Sequence, residues 1–232
     1  MQKSGPPPPP SGKAKSRARG RPRAFDREAA LAQAMRLFWR NGFEATSIAD
    51  LTAAMGIGAP SLYAAFGSKE ALYAEALRHY GDAYDDLAWG AFFAAETART
   101  AVERLLLDSA ASLTGCVGDT PRGCMVALSM VGGEDHPELC ELLRSARAET
   151  LDRLKTRLNR AVAEGEIPAT VDIHALARFV QTVQSGMSIL ARDGADRADL
   201  EAVAEVAMLG WDARVGEPAP TPSPRRSLRH PP

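Results

Sequence analysis

Aromatic residues make up only 6% of the 232-residue chain, and β-branched runs are scarce beside abundant alanine and leucine. Strands draw on β-branched and aromatic side chains, so this shortage argues against a sheet and for helices. No stretch approaches the roughly 18 apolar residues that a membrane-spanning helix needs. The longest, Leu87 to Ala95, reaches about half of that length. The N-terminus lacks the apolar core of an export signal, and a cytoplasmic protein is expected. Cysteine is limited to Cys116, Cys124 and Cys140, an odd number within one region. Such a set reads as reduced thiols and not as a disulfide framework. Its spacing with His136 matches no compact metal-ligand pattern, and neither metal nor cofactor is expected. Also missing are G-x-x-x-x-G-K-[ST], H-E-x-x-H, C-x-x-C and G-x-S-x-G, which removes the usual enzyme signatures. Gly56-Ile57-Gly58 lacks a third glycine and a preceding strand, and reads as a turn.

The net charge of −1 conceals a strong asymmetry. Residues 1–25 hold seven Lys and Arg and no acid, residues 216–232 carry +2, and the body between them carries −10. A basic arm on an acidic body suits a polyanionic partner for the arm, the alternative being a solvated tail. Residues 1–24, with five consecutive prolines from Pro6 to Pro10, and residues 216–232 cannot bury enough apolar area to fold alone.

Between these ends the punctuation is helical. Asp26 is an N-cap candidate for a helix with Ala30, Leu31, Ala34, Leu37 and Phe38 on one face, closed at Asn41-Gly42. Ser47 with Asp50 forms a capping-box pattern opening a short helix to Met55. After the glycine turn, Ala59-Pro60 opens a third helix to Phe66, and Ser68 caps a fourth to about Tyr80. Further helices are expected from Thr100 to Leu113, within Pro121–Gly133, and over 137–165, 172–193 and 196–214. Two short helices joined by a glycine turn, after a longer one, form a helix-turn-helix arrangement, whose second helix enters a DNA major groove.

The residues sharpen this reading. Gly42-Phe43, Thr46-Ser47, Leu62-Tyr63, Phe66 and Ser68-Lys69-Glu70-Ala71-Leu72 closely resemble the DNA-binding segment of the TetR/AcrR family of transcriptional regulators, over roughly residues 25–75. The resemblance implies an all-α homodimer with a helix-turn-helix domain over 25–80 and a ligand-binding and dimerisation domain over 81–215. The dimer pairs helices 172–193 and 196–214, and the protein is released from a palindromic operator by a small molecule or by cysteine modification. The expected DNA contacts are Thr46, Ala59, Ser61, Tyr63, Ala64 and Lys69. Thr46 sits at a helix N-terminus suited to a phosphate, and Lys69 supplies a point charge. Tyr63 is a phosphate ligand by resemblance, or else a half-buried core aromatic. Alanine at 64 and 65 can touch a thymine methyl but cannot hydrogen-bond a base edge. Residues 26–80 carry five bases against six acids. Both points shift weight to Arg21 and Arg23 in Arg19-Gly20-Arg21-Pro22-Arg23, which resembles an AT-hook able to enter an A·T-rich minor groove.

For the effector pocket the candidates are Trp89, Phe93, Cys124, Met125, Met130, Phe179, Val183 and Met187, each equally readable as ordinary core. Gln181, Gln184, Ser129 and His136 are conceivable polar anchors. Cys124, next to Arg122-Gly123, reads either as a buried structural thiol or as a sensor whose pKa the nearby Arg122 lowers.

Overall fold

The computed structural model describes residues 25–115, 120–129 and 135–216. Among them the regular structure is entirely helical: α1 (Arg27–Asn41), α2 (Ile48–Met55), α3 (Ala59–Phe66), α4 (Lys69–Ala94), α5 (Ala98–Leu113), α6 (Met125–Leu128), α7 (Pro137–Ala163), α8 (Ile173–Asp193) and α9 (Arg197–Gly216). No helix among the described residues is long and apolar enough to cross a membrane.

Most boundaries follow local chemistry. The Asp26 carboxylate accepts from the amides of Glu28 and Ala29, and Ser47 and Asp50 form a reciprocal capping box. Ser68 caps α4, and Asp172 caps α8. Two boundaries differ from expectation. The α5 helix opens at Thr97, whose hydroxyl accepts from the Thr100 amide, three residues before the anticipated start. The α4 helix runs through Gly81 to Ala94 instead of stopping near Tyr80. An interior glycine costs a helix about 1 kcal/mol against alanine. Tertiary burial of Leu77 before Gly81, and of Trp89 and Phe92 after it, outweighs that cost. The short helix anticipated within 121–133 is, among the described residues, Met125–Leu128; Cys124 is its N-cap, and Gly123, at φ +80°, keeps it from starting earlier.

Among the described residues two apolar cores result. The first gathers Leu31, Phe38, Leu51, Leu62, Phe66, Leu72 and Tyr73 from α1–α4 and Phe43 from the turn after α1, together with Met125, Leu139 and Leu143 from α6 and α7. The second gathers Leu105, Leu106, Leu154, Leu158, Val180, Met187, Leu200 and Trp211 from α5 and α7–α9. Helix α4 contributes to both, and at about 39 Å for 26 residues it is the spine that joins them. The described body therefore has no clean plane at residue 80, since α6 and the start of α7 pack on the first core.

Candidate nucleic-acid interface and ligand cavity

Helices α2 and α3 are short because glycine closes both. Gly56 takes the left-handed conformation (φ 67°, ψ 28°) that ends α2, and Gly58 begins α3, with Pro60 in the first turn. Leu62 and Phe66 turn inward, which leaves Ser61 and Ala64 exposed, Ala59 half-buried and Tyr63 47% exposed. Tyr63 is therefore not a core aromatic. Lys69 is the first residue of α4, and its ammonium rests 4.2 Å from the centre of the Phe43 ring.

Arg27, which sequence reasoning did not single out, sets the attitude of α3. Its guanidinium donates to both Glu75 oxygens at 2.6 and 2.8 Å and to the Ala65 carbonyl, and it stacks 4.4 Å from the Phe66 ring. Hydrogen bonding from Arg27 holds the Glu75 carboxyl below its ordinary range.

Thr46 departs from expectation. It is fully buried, and its hydroxyl donates at 2.6 Å to the carbonyl of Gly42. A hydroxyl turned inward to satisfy an orphan carbonyl just beyond α1 is a structural group and not a phosphate ligand in this conformation. Arg21 and Arg23 lie outside the described residues.

A cavity of about 1060 Å³ lies between α4, α7 and α8 and reaches the end of α1. Trp39, Tyr80 and Tyr84 form an aromatic wall, with ring centres 4.9 to 5.3 Å apart. Of the expected lining residues the cavity holds Trp89 and Cys124, and of the polar candidates Gln181 and Gln184. The others lie elsewhere. Met125 is buried in the first core and Met187 in the second, against which Val183 also packs. Phe93 and Phe179 are 55% and 40% exposed. Ser129 accepts from the buried Tyr73 hydroxyl, and His136 stands edge-on to Phe43. Met130 lies outside the described residues. The difference has a physical source: α8 turns its apolar stripe to the core and its polar stripe (Gln181, Thr182, Gln184, Ser185) to the cavity, so apolar character along α8 does not mark the cavity wall. Arg153 closes one side, paired with Asp85 and with Glu149 at 2.7 Å. Arg147 donates to the carbonyls of Val126 and Ser129.

Cys124 has a different neighbour from the one expected. Arg122 points away from it, to the carbonyls of Ala191 and Ala195 at 3.4 and 3.3 Å, and so supplies no adjacent cation. The thiol accepts instead from the Tyr80 hydroxyl at 3.4 Å. Burial, and then the neighbouring Cys124, push the Tyr80 phenol well above its ordinary range, which keeps its proton in place for that bond.

On the far side of α8 and α9, Phe179, Ile189, Leu190, Val206 and Leu209 are all exposed, the last two by 68% and 69%. Gly186 faces open space on this side, whereas Ala177, a second small residue on α8, is buried in the core.

Comparison with known proteins places this geometry among relatives. The model for bacterial regulatory proteins of the tetR family matches residues 30–76, and that for the tetracyclin repressor-like C-terminal domain matches residues 98–207. The chain is 39% identical over 195 residues to the HTH-type transcriptional repressor ComR of Escherichia coli, covering 83% of this chain and 91% of ComR. It is 51% identical over 61 residues to the E. coli repressor BdcR, covering 26% of this chain and 31% of BdcR. Among solved structures, a cysteine-substituted CifR in complex with 26-bp operator DNA superposes with a TM-score of 0.78 at 41% identity, over 83% of this chain and all of CifR.

Proposed function

The chain belongs to the TetR family of bacterial regulatory proteins, and on that premise we propose that it is a ligand-responsive transcriptional repressor, released from a palindromic operator by a small molecule or by modification of Cys124. The observation that carries the reading is the outward face of α3: Ser61, Tyr63 and Ala64 are displayed to solvent while Leu62 and Phe66 anchor the helix from behind. A helix presented this way fits a major groove, with Tyr63 and Lys69 on phosphates and Ala59, Ser61 and Ala64 at base edges. Short side chains there leave few hydrogen bonds to bases, and Arg21 and Arg23 supply further affinity from the minor groove. ComR is named a repressor, and CifR is seen on operator DNA; both support the same role here.

The effector occupies the 1060 Å³ cavity, whose polar and aromatic lining suits an organic molecule of drug-like size. Two copies pair through the exposed apolar side chains of α8 and α9, which would otherwise face water. A two-fold dimer sets its recognition helices about one turn of DNA apart, roughly 34–36 Å. The protein acts as a regulator and not as an enzyme, in the cytoplasm where its DNA lies.

The test is selection of bound sequences from a random DNA library at fixed salt, repeated with Tyr63→Phe and Lys69→Ala. A two-fold-symmetric motif, with both variants weakened evenly across sequences, is the expected result. Steep salt-dependent binding with no enriched motif means that the basic arm acts alone, and the reading fails.

A further inference from the structure

The three residues Arg122, Gly123 and Cys124 are wedged where the two cores meet, and their polar groups are engaged by four different helices. The Gly123 amide donates to the Leu113 carbonyl at the end of α5 at 2.8 Å. The Gly123 carbonyl accepts from the Trp39 indole of α1 at 2.8 Å. The Cys124 amide donates to the Ser188 hydroxyl of α8 at 2.6 Å, and its sulfur accepts from Tyr80 of α4. The crossing is tight enough to admit only glycine, because a Cβ on Gly123 would lie 2.8 Å from the Ser188 carbonyl oxygen and would overlap Leu128 Cδ1. Gly123, Cys124, Trp39 and Tyr80 are at the same time wall residues of the cavity.

Arg192, near the end of α8, closes this lattice. Its Nε donates to the Arg122 carbonyl at 2.9 Å, and its Nη1 and Nη2 donate to the carbonyls of Arg40 and Trp39 at 3.0 and 2.9 Å. The last two belong to the final turn of α1, where carbonyls have no helical partner. One guanidinium from the larger half of the molecule therefore caps the first helix of the DNA-binding half and holds it against the cavity wall. A cation with three fixed donors aimed at three carbonyls on two separate segments is a geometric constraint that a lysine cannot reproduce.

We propose that Arg192 is the positioning residue that couples the cavity to the DNA-binding half, by clamping the last turn of α1 to the 122–124 wall. The proposal rests on the repressor reading above. An occupant that displaces Cys124 or Trp39 breaks the carbonyl cluster that Arg192 holds, and α1 is released from α8. Because packed interfaces switch between discrete arrangements, a small displacement at the wall becomes a change in how α1, and with it α2 and α3, is held.

The test needs no knowledge of the natural effector. In the full chain with Cys116→Ser and Cys140→Ser, N-ethylmaleimide is placed on Cys124 as a bulky wall occupant, and its stoichiometry is confirmed by mass. Affinity for the library-selected operator is measured before and after. Alkylation is expected to weaken binding about tenfold or more with Arg192 present, and about twofold or less in Arg192→Ala. Arg192→Lys falls between them. A role confined to stability does not predict this loss of response, since each variant is compared with its own unmodified form. Should Arg192→Ala not fold, Arg192→Gln, which keeps part of the stem but loses the guanidinium fork that reaches three carbonyls, carries the same comparison. An Arg192→Ala protein that responds as fully as its parent overturns the proposal, and so does a parent indifferent to alkylation. If the unmodified parent recovers no operator at all, it is the repressor reading that has failed.

Discussion

Replacing Thr46 by valine separates two roles that the same residue can play in a helix-turn-helix. Valine keeps the volume and the branched shape and removes only the hydroxyl. In the structure that hydroxyl is fully buried and donates at 2.6 Å to the Gly42 carbonyl, at the turn between α1 and α2. Losing a buried neutral hydrogen bond costs about 1 kcal/mol, and leaving the carbonyl without a partner raises the cost toward about 3 kcal/mol. For a folded body of this size, 1–3 kcal/mol lowers the melting temperature by roughly 3–10 °C. Calorimetry at one fixed protein concentration reads that fall, the concentration being held because dimer dissociation also moves the midpoint. Operator affinity, measured by fluorescence anisotropy well below the transition, should change less than about twofold, because a buried group contributes nothing to counterion release. The refuting result is the reverse pattern: an unmoved melting temperature with affinity down about tenfold. That outcome means that the hydroxyl swings outward to a phosphate and that the inward rotamer is not the functional one.

Gly123→Ala should destabilise the protein by about 2 kcal/mol or more in denaturant titration, because it combines a positive φ with contacts closer than a Cβ tolerates; a change below about 0.5 kcal/mol speaks against the wedge at 122–124. Lys69→Ala should weaken operator binding and lower the slope of log affinity against log salt by about 1. An unchanged slope leaves Lys69 as a Phe43 partner only. Val206→Asp with Leu209→Asp, both exposed on α9, should yield a folded monomer in sedimentation with operator binding lost; a stable dimer places the interface elsewhere.

Much of the fold was legible because short-range chemistry encodes it. Asp26, the Ser47–Asp50 box, the Gly56–Gly58 turn and Ser68 lie within four residues of the groups they satisfy. Periodicity could likewise sort Leu62 and Phe66 inward from Tyr63 and Ala64. The end of α4 was not legible, because Gly81 is a local breaker whose cost is overridden by burial on two distant cores. The cavity was only partly legible. Apolar residues on α8 satisfy both a core and a pocket pattern, and only helix rotation tells them apart. Trp39 carried no mark of a ligand wall, since its place beside Tyr80 and Tyr84 depends on how α1 meets α4.

The helical class, the helix-turn-helix and its family are encoded in patterns that need only neighbouring residues to be read. Tertiary structure alone decided that Thr46 faces inward, that Arg122 turns from Cys124 to the end of α8, and that Arg192 reaches across 152 residues of chain to the last turn of α1. Each of these depends on which carbonyls are left without a helical partner and which long side chain the packing brings within reach. That is a property of three-dimensional proximity, and no spacing along the chain encodes it.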